Sequence, residues 1–121
     1  MKQKLTCHCG AVEMRVELKH GIDSAHRCTC SFCRRRGALS AAVAYPDGLE
    51  IIKGADKLTL YQFNTHAAEH YFCSICGNYT HHRRRSNPNE YGVNVGAIDG
   101  VDPSKIENPP WMDGINHPSD K

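Results

Sequence analysis

A chain of 121 residues, 40% hydrophobic and 23% charged, has the size and make-up of one globular domain and is too short for two. It carries no apolar run of membrane-spanning length, and Met1 to Thr6 lack the apolar segment of a secretory signal, so a soluble, cytoplasmic protein with reduced cysteines is expected. The formal net charge of +2 is too small to argue for a nucleic-acid partner.

In chain order, apolar Val12, Met14, Val16 and Leu18 alternate with Glu13, Arg15 and Glu17, which predicts a half-buried strand between Leu5 and Leu18. Cys7-His8-Cys9-Gly10 leads into it, with Gly10 available for the positive φ of a chelating turn. Lys19-His20-Gly21 closes the strand, and Ile22 to Arg27 leads to Cys28-Thr29-Cys30-Ser31-Phe32-Cys33. Ser31 is a candidate N-cap and Gly37 a candidate stop for one short helical turn through Arg34-Arg35-Arg36, whose first N–H groups can donate to the Cys33 sulfur. Ala38 to Tyr45 reads as an apolar strand, Pro46-Asp47-Gly48 as a turn, and Leu49 to Lys53 as a strand ended by Gly54-Ala55-Asp56. Lys57 to Phe63 alternates again, Asn64 to Ala68 turns the chain, and Glu69 to Phe72 runs to Cys73-Ser74-Ile75-Cys76 and a knuckle-like Gly77-Asn78. Asn78 to Arg83 and Tyr91 to Ile98 complete the short strands, separated by Ser86-Asn87-Pro88-Asn89. Beyond Asp99, prolines among polar residues argue against regular structure, although Ile106 and Trp111 can dock on the sheet. The ending, Asp113 to Pro118, is open between a solvated tail and a flap over the site. The expected organisation is a single metal-binding domain over residues 1–121, with a core from about 5 to 100 and an extension over 101–121.

The seven cysteines divide into a two, a three and a two. The odd count, the absence of a signal segment and C-x-C pairs that cannot easily bridge to each other favour metal binding over disulfides. Cys7 and Cys9 with Cys73 and Cys76 make one complete tetrahedral thiolate set, as in a structural zinc site closed to solvent. Cys28, Cys30 and Cys33 supply three ligands and leave a fourth position exchangeable, which is how a catalytic zinc is held. Zinc is preferred to iron because nothing here signals redox chemistry, and two ions per chain are expected. Ionising all the thiols and adding those ions lowers the net charge to about −1, which weakens the nucleic-acid case further.

With these motifs in place, the chain resembles the glutathione-dependent formaldehyde-activating family, which also includes centromere protein V. The resemblance runs from Cys7 to about Gly100. It is carried by Cys7-His8-Cys9-Gly10, Cys28-Thr29-Cys30-Ser31-Phe32-Cys33-Arg34, Leu60-Tyr61-Gln62-Phe63, Phe72-Cys73-Ser74-Ile75-Cys76-Gly77 and Val93-Asn94-Val95-Gly96. It implies the same division of the cysteines: Cys7, Cys9, Cys73 and Cys76 on a structural zinc, and Cys28, Cys30 and Cys33 on an open one. It also implies a mainly β fold, a β-tent of small antiparallel sheets with zinc at the seam. The activity implied is addition of glutathione to formaldehyde or a related small aldehyde, giving S-(hydroxymethyl)glutathione, in reverse a carbon–sulfur lyase.

Physical chemistry is compatible with that activity, because three anionic sulfurs make a zinc ion a weak activator of water and a better match for a fourth, exchangeable thiolate. His66, His70, His81 and His82 are candidate proton carriers, with none singled out. Arg34 to Arg36 and Arg83 to Arg85 are either solvated charge runs or grips for a substrate carboxylate, and Asn94 is marked by the resemblance alone. Two rivals stand beside the lyase. One is a non-catalytic, zinc-stabilised binding module like centromere protein V, its middle trio completed by His26 or His8. The other is a nucleic-acid binder built on the two arginine runs, with only Phe32 and Tyr79 as nearby aromatics. Exposed sheet edges are consistent with a monomer or a homodimer, and no membrane partner is expected.

Overall fold

The computed structural model describes residues 2–44, 47–63, 65–84 and 89–115. In chain order these form β1 (Gln3–Thr6), β2 (Glu13–Val16), β3 (Arg27–Cys28), the helix α1 (Ser31–Arg36), β4 (Ser40–Ala42), β5 (Leu49–Lys53), β6 (Leu58–Tyr61), β7 (Glu69–Cys73), β8 (Tyr79–Arg83), β9 (Tyr91–Asn94) and β10 (Trp111–Met112). The strands assemble as a three-stranded antiparallel sheet, β1-β2-β5, and a five-stranded antiparallel sheet, β4-β9-β8-β7-β6. A third sheet is a two-stranded parallel pair, β10 against β3. The mainly β architecture of small antiparallel sheets expected from the resemblance is therefore present, with one parallel pair added to it.

Alternation along β2 sets which residues go inside: Met14 and Val16 are fully buried while Arg15 between them is exposed. Isolated bridges from Leu5 to Ile98, Leu18 to Val43 and His26 to Ser40 stitch the sheets together along a seam. The main core lies at that seam and contains Leu5, Val12, Met14, Val16, Val43, Val93 and Ile98, together with two cysteines, Cys7 and Cys73. A smaller cluster of Ala25, Leu39, Ala41 and Val95 takes Ile106 against its side, so that residue docks as expected, whereas Trp111 stays exposed.

Several expectations are corrected. The stretch from Leu5 to Leu18 is a hairpin rather than one strand: Cys7 N–H donates to Val12 C=O and Gly10 N–H to Cys7 C=O, so the chain reverses where its first two cysteines lie. The helix begins one residue earlier than predicted, capped by the Cys30 sulfur and not by Ser31, and it ends as expected on a left-handed Gly37. The strand expected over Ala38 to Tyr45 shortens to β4, and that over Tyr91 to Ile98 ends at Asn94, whose side chain accepts from Gly96 N–H and caps a 3-10 turn, Val95–Ala97. Structure also continues past Asp99, as a 3-10 turn over Pro103–Lys105 capped by Asp102 and as β10. The expectations resting on Tyr45, Pro46, Asn64, Arg85, Ser86, Asn87, Pro88 and Asn116 to Pro118 lie outside the described residues. Among those described, no helix is long and apolar enough to cross a membrane.

The seam predicts where substitutions matter. Leu5→Ala, at a fully buried position, removes buried methyls from the core and is expected to cost about 2–5 kcal/mol. Ile52→Thr, on the exposed part of β5, is expected to change stability by no more than about 0.5 kcal/mol. Urea unfolding of the metal-loaded chain measures both, and equal costs contradict this placement of the core.

Candidate functional site

All seven cysteines are unbridged thiols, and their sulfurs gather into two groups. Cys7, Cys9, Cys73 and Cys76 have sulfurs within 4.8 Å of one another. The first two sit in the hairpin after β1, and the second two lie at and just beyond the end of β7. Cys7 Sγ is 3.6 Å from Cys9 Sγ, and Cys9 Sγ is 3.7 Å from Cys73 Sγ. A tetrahedron of Zn–S bonds about 2.3 Å long has edges of about 3.8 Å, which these two spacings match. Gly10 and Gly77, one residue beyond Cys9 and Cys76, have φ of +81° and +77°. A side chain is strained there, and the two turns need that conformation to bring their sulfurs round. Backbone N–H groups already serve the sulfurs: Val12 donates to Cys7 at 3.3 Å and Ile75 to Cys73 at 3.4 Å. The Cys76 thiol is pulled down to about 6, chiefly by hydrogen bonding from the Cys9 backbone.

The second group is Cys28, Cys30 and Cys33, again with sulfurs within 4.8 Å of one another. Cys28 ends β3, Cys30 caps α1 and Cys33 lies in its first turn. Cys33 N–H donates to Cys30 Sγ at 3.2 Å, so the helix N–H serves Cys30 rather than Cys33. Hydrogen bonds from Cys28 and Cys33 hold the Cys30 thiol far below its ordinary range, while Cys28, Cys30 and burial push Cys33 up. No histidine or carboxylate among the described residues joins either group. Of the two histidines considered as a fourth ligand, His26 instead places Nδ1 3.4 Å from Ser24 C=O, and His8 is exposed.

One wall of the trio comes from Pro110 to Gly114, which fold over the site as a flap. Thr29 N–H donates to Met112 C=O at 3.0 Å, Arg27 N–H to Pro110 C=O at 2.9 Å, and Gly114 N–H to Thr29 Oγ1 at 3.1 Å. Gly114 is pressed so closely that a Cβ there would collide with Cys28 Sγ and lie 2.6 Å from Cys30 Cβ.

Behind α1 stands an aromatic bank. The Phe32 ring packs at 5.2 Å from Tyr61, 5.4 Å from Phe63 and 4.6 Å from His70. Tyr79 Oη lies 2.6 Å from His82 Nδ1 and 3.2 Å from Ser40 Oγ. Burial, His70 and Arg36 together hold His82 well below its ordinary value, so it is neutral near pH 7. His81 points to the opposite face of β8, stacks on Tyr71 at 4.6 Å and is pushed down to about 4 by burial. His66 is exposed in a turn at φ 58°. Asn94 holds backbone at both ends of its amide, donating to Tyr79 C=O at 2.9 Å and accepting from Gly96 N–H at 3.2 Å.

The arginines also separate. Arg83 pairs with Glu69 at 3.1 Å and Arg84 with Glu90 at 2.6 Å, which makes them sheet ion pairs. In α1, Arg34 is exposed, Arg35 Nη1 donates to Ser31 C=O at 2.8 Å, and only Arg36 turns toward the sulfurs. The sequence marked the run but not this member of it. It also missed Gly114 and Tyr79, which become visible only through tertiary contacts.

A family model described as glutathione-dependent formaldehyde-activating enzyme matches residues 2–113, a span that includes every cysteine. A curated Halomonas elongata protein, whose name provisionally assigns it glutathione-dependent formaldehyde activation, is 33% identical over 78 residues. That match takes in 59% of this chain, and the chain spans about half (49%) of the relative's length. A solved crystal structure of a Rhodobacter sphaeroides protein is 57% identical and superposes with a TM-score of 0.86, over 90% of this chain and 99% of that one.

The two groups predict opposite mutant behaviour. Cys73→Ser breaks a set built into the main core and is expected to abolish the folded circular dichroism spectrum. Cys33→Ser is expected to leave that spectrum intact with about one zinc per chain. Equal unfolding of the two variants contradicts the division. Gly114→Val, which forces the flap off Cys28, is expected to weaken zinc at the trio by about tenfold or more while sparing the four-sulfur set, as measured by chelator competition.

Proposed function

This chain belongs to the glutathione-dependent formaldehyde-activating enzyme family, and on that footing we propose that it is a zinc-dependent carbon–sulfur lyase that adds glutathione to formaldehyde or a related small aldehyde. The observation that carries the reading is three converging sulfurs with no fourth protein ligand among the described residues. Cys28, Cys30 and Cys33 would hold a zinc ion there, which when bound would supply the Lewis acidity that favours the ionised form of a thiol near neutral pH. In the net reaction the thiol sulfur bonds to the carbonyl carbon, the C=O π bond opens, and the oxygen takes up the proton that the thiol gave away.

The chain's own residues have three tasks in this reading. The aromatic bank of Phe32, Tyr61 and Phe63 and the flap at Met112 to Gly114 border the trio and limit water around it. The Ser40–Tyr79–His82 chain of hydrogen bonds offers a neutral imidazole and a phenol through which a proton can pass to the new hydroxyl. The N–H of Cys33 stabilises negative charge on Cys30 and so keeps that ligand deprotonated. Cys7, Cys9, Cys73 and Cys76 hold the structural ion in this proposal, and a single domain spanning 1–121 and working in the cytoplasm completes it.

Zinc quantification combined with glutathione titration tests the proposal. About two zinc ions per chain are expected, with one changing its coordination as glutathione binds. Two ions that are both indifferent to thiol leave a purely structural module, and the lyase is withdrawn.

A further inference from the structure

We infer that Arg36 is the fixed counter-charge of the three-sulfur set, a positioning residue that biases the exchangeable position toward an anionic sulfur and away from neutral donors. The inference deepens the proposed function and rests on the trio being an open, thiol-accepting metal site.

Three consecutive arginines on a helix point in directions about 100° apart, so they cannot share a task. Arg36 alone faces inward. Its guanidinium carbon lies 3.6 Å from the centroid of the Tyr79 ring and 4.4 Å from that of Phe32, and its Nη2 is 3.7 Å from Cys33 Sγ. No carboxylate pairs with it among the described residues, whereas Arg83 and Arg84 each have one. Its Nε is buried and finds no acceptor there, so ring faces and charge hold this side chain rather than a full set of hydrogen bonds. A guanidinium keeps its charge at any working pH, and two ring faces shield it from water. Its field therefore reaches the sulfurs with less screening than at an open surface.

The negative charge it serves is on sulfur. Three thiolates around a divalent ion carry one net negative charge, and admitting a fourth thiolate raises that to two. A fixed positive charge beside Cys33 stabilises the second state more than the first. A neutral water in the same position gains nothing from it. Arg36 thus acts through the trio and needs no contact with the visiting molecule's carboxylates, which separates it from a substrate grip.

The test uses zinc-loaded protein and the variants Arg36→Met, which keeps apolar bulk over the rings, and Arg36→Lys, which keeps the charge. Calorimetric titration is run with glutathione and with 2-mercaptoethanol, a thiol without carboxylates. The near-ultraviolet sulfur-to-metal charge-transfer band of the cobalt-substituted proteins follows the same titrations. Expected are a loss of about tenfold or more in affinity for both thiols in Arg36→Met, substantial recovery in Arg36→Lys, and an unchanged circular dichroism spectrum. Loss of the trio's metal in Arg36→Met with retention in Arg36→Lys supports the same conclusion. Unchanged thiol affinity in Arg36→Met overturns the inference. So does a loss confined to glutathione, which assigns Arg36 to a carboxylate, and so does a lysine variant as impaired as the methionine one, which assigns it to packing. Failure of the unsubstituted protein to bind either thiol removes the thiol-accepting site itself, and the inference falls with it.

Discussion

Four sulfurs meet where the two larger sheets join, placed so that one metal ion there would clamp them together. Cys9 and Cys73, 64 residues apart in the chain, bring their sulfurs to 3.7 Å, one from the hairpin joining β1 to β2 and one from the end of β7. The core of the domain is arranged around this clamp, since Cys7 and Cys73 are packed in the same cluster as Leu5, Met14 and Val93. A structural zinc contributes about 10–16 kcal/mol of apparent binding energy, against a typical net stability of about 5–15 kcal/mol for a domain. An ion held there is therefore comparable to the whole margin by which such a chain stays folded. With such an ion bound, strands of two to five residues would suffice.

The trio is built on the opposite plan. Its sulfurs come from one short run, Cys28 to Cys33, and none of these residues belongs to a core cluster. Its surroundings come from far along the chain: Tyr61 and Phe63 around β6, Tyr79 and His82 from β8, and Gly114 beyond β10. A local set of sulfurs can rearrange without loosening the fold. Distant walls can then shape what enters it.

How much of this could be read beforehand follows from how local each signal is. Cysteine spacing is local, so the division of the sulfurs was legible, as were the alternation that buries Met14 and Val16 and the left-handed stop at Gly37. The hairpin hidden between Leu5 and Leu18 was not, because a chelating turn interrupts an alternating pattern without changing its composition. The cap was misassigned to Ser31 because a thiol accepting the helix N–H, as Cys30 does, is outside the usual cap residues. Arg36 was indistinguishable from Arg34 and Arg35 because only tertiary contact with Phe32 and Tyr79 separates them. The role of Asn94 as a backbone tie, and the approach of Gly114 to Cys28, likewise depend on partners distant in sequence.

The parallel pairing of β10 with β3 lays Trp111 and Met112 alongside the strand that carries Cys28. The register sets Met112 opposite Cys28, and Thr29 N–H donates to Met112 C=O at 3.0 Å. A substitution at Met112 is therefore relayed through main-chain pairing to the position of the Cys28 sulfur, so a segment with no cysteine of its own sets the spacing of three that lie far upstream.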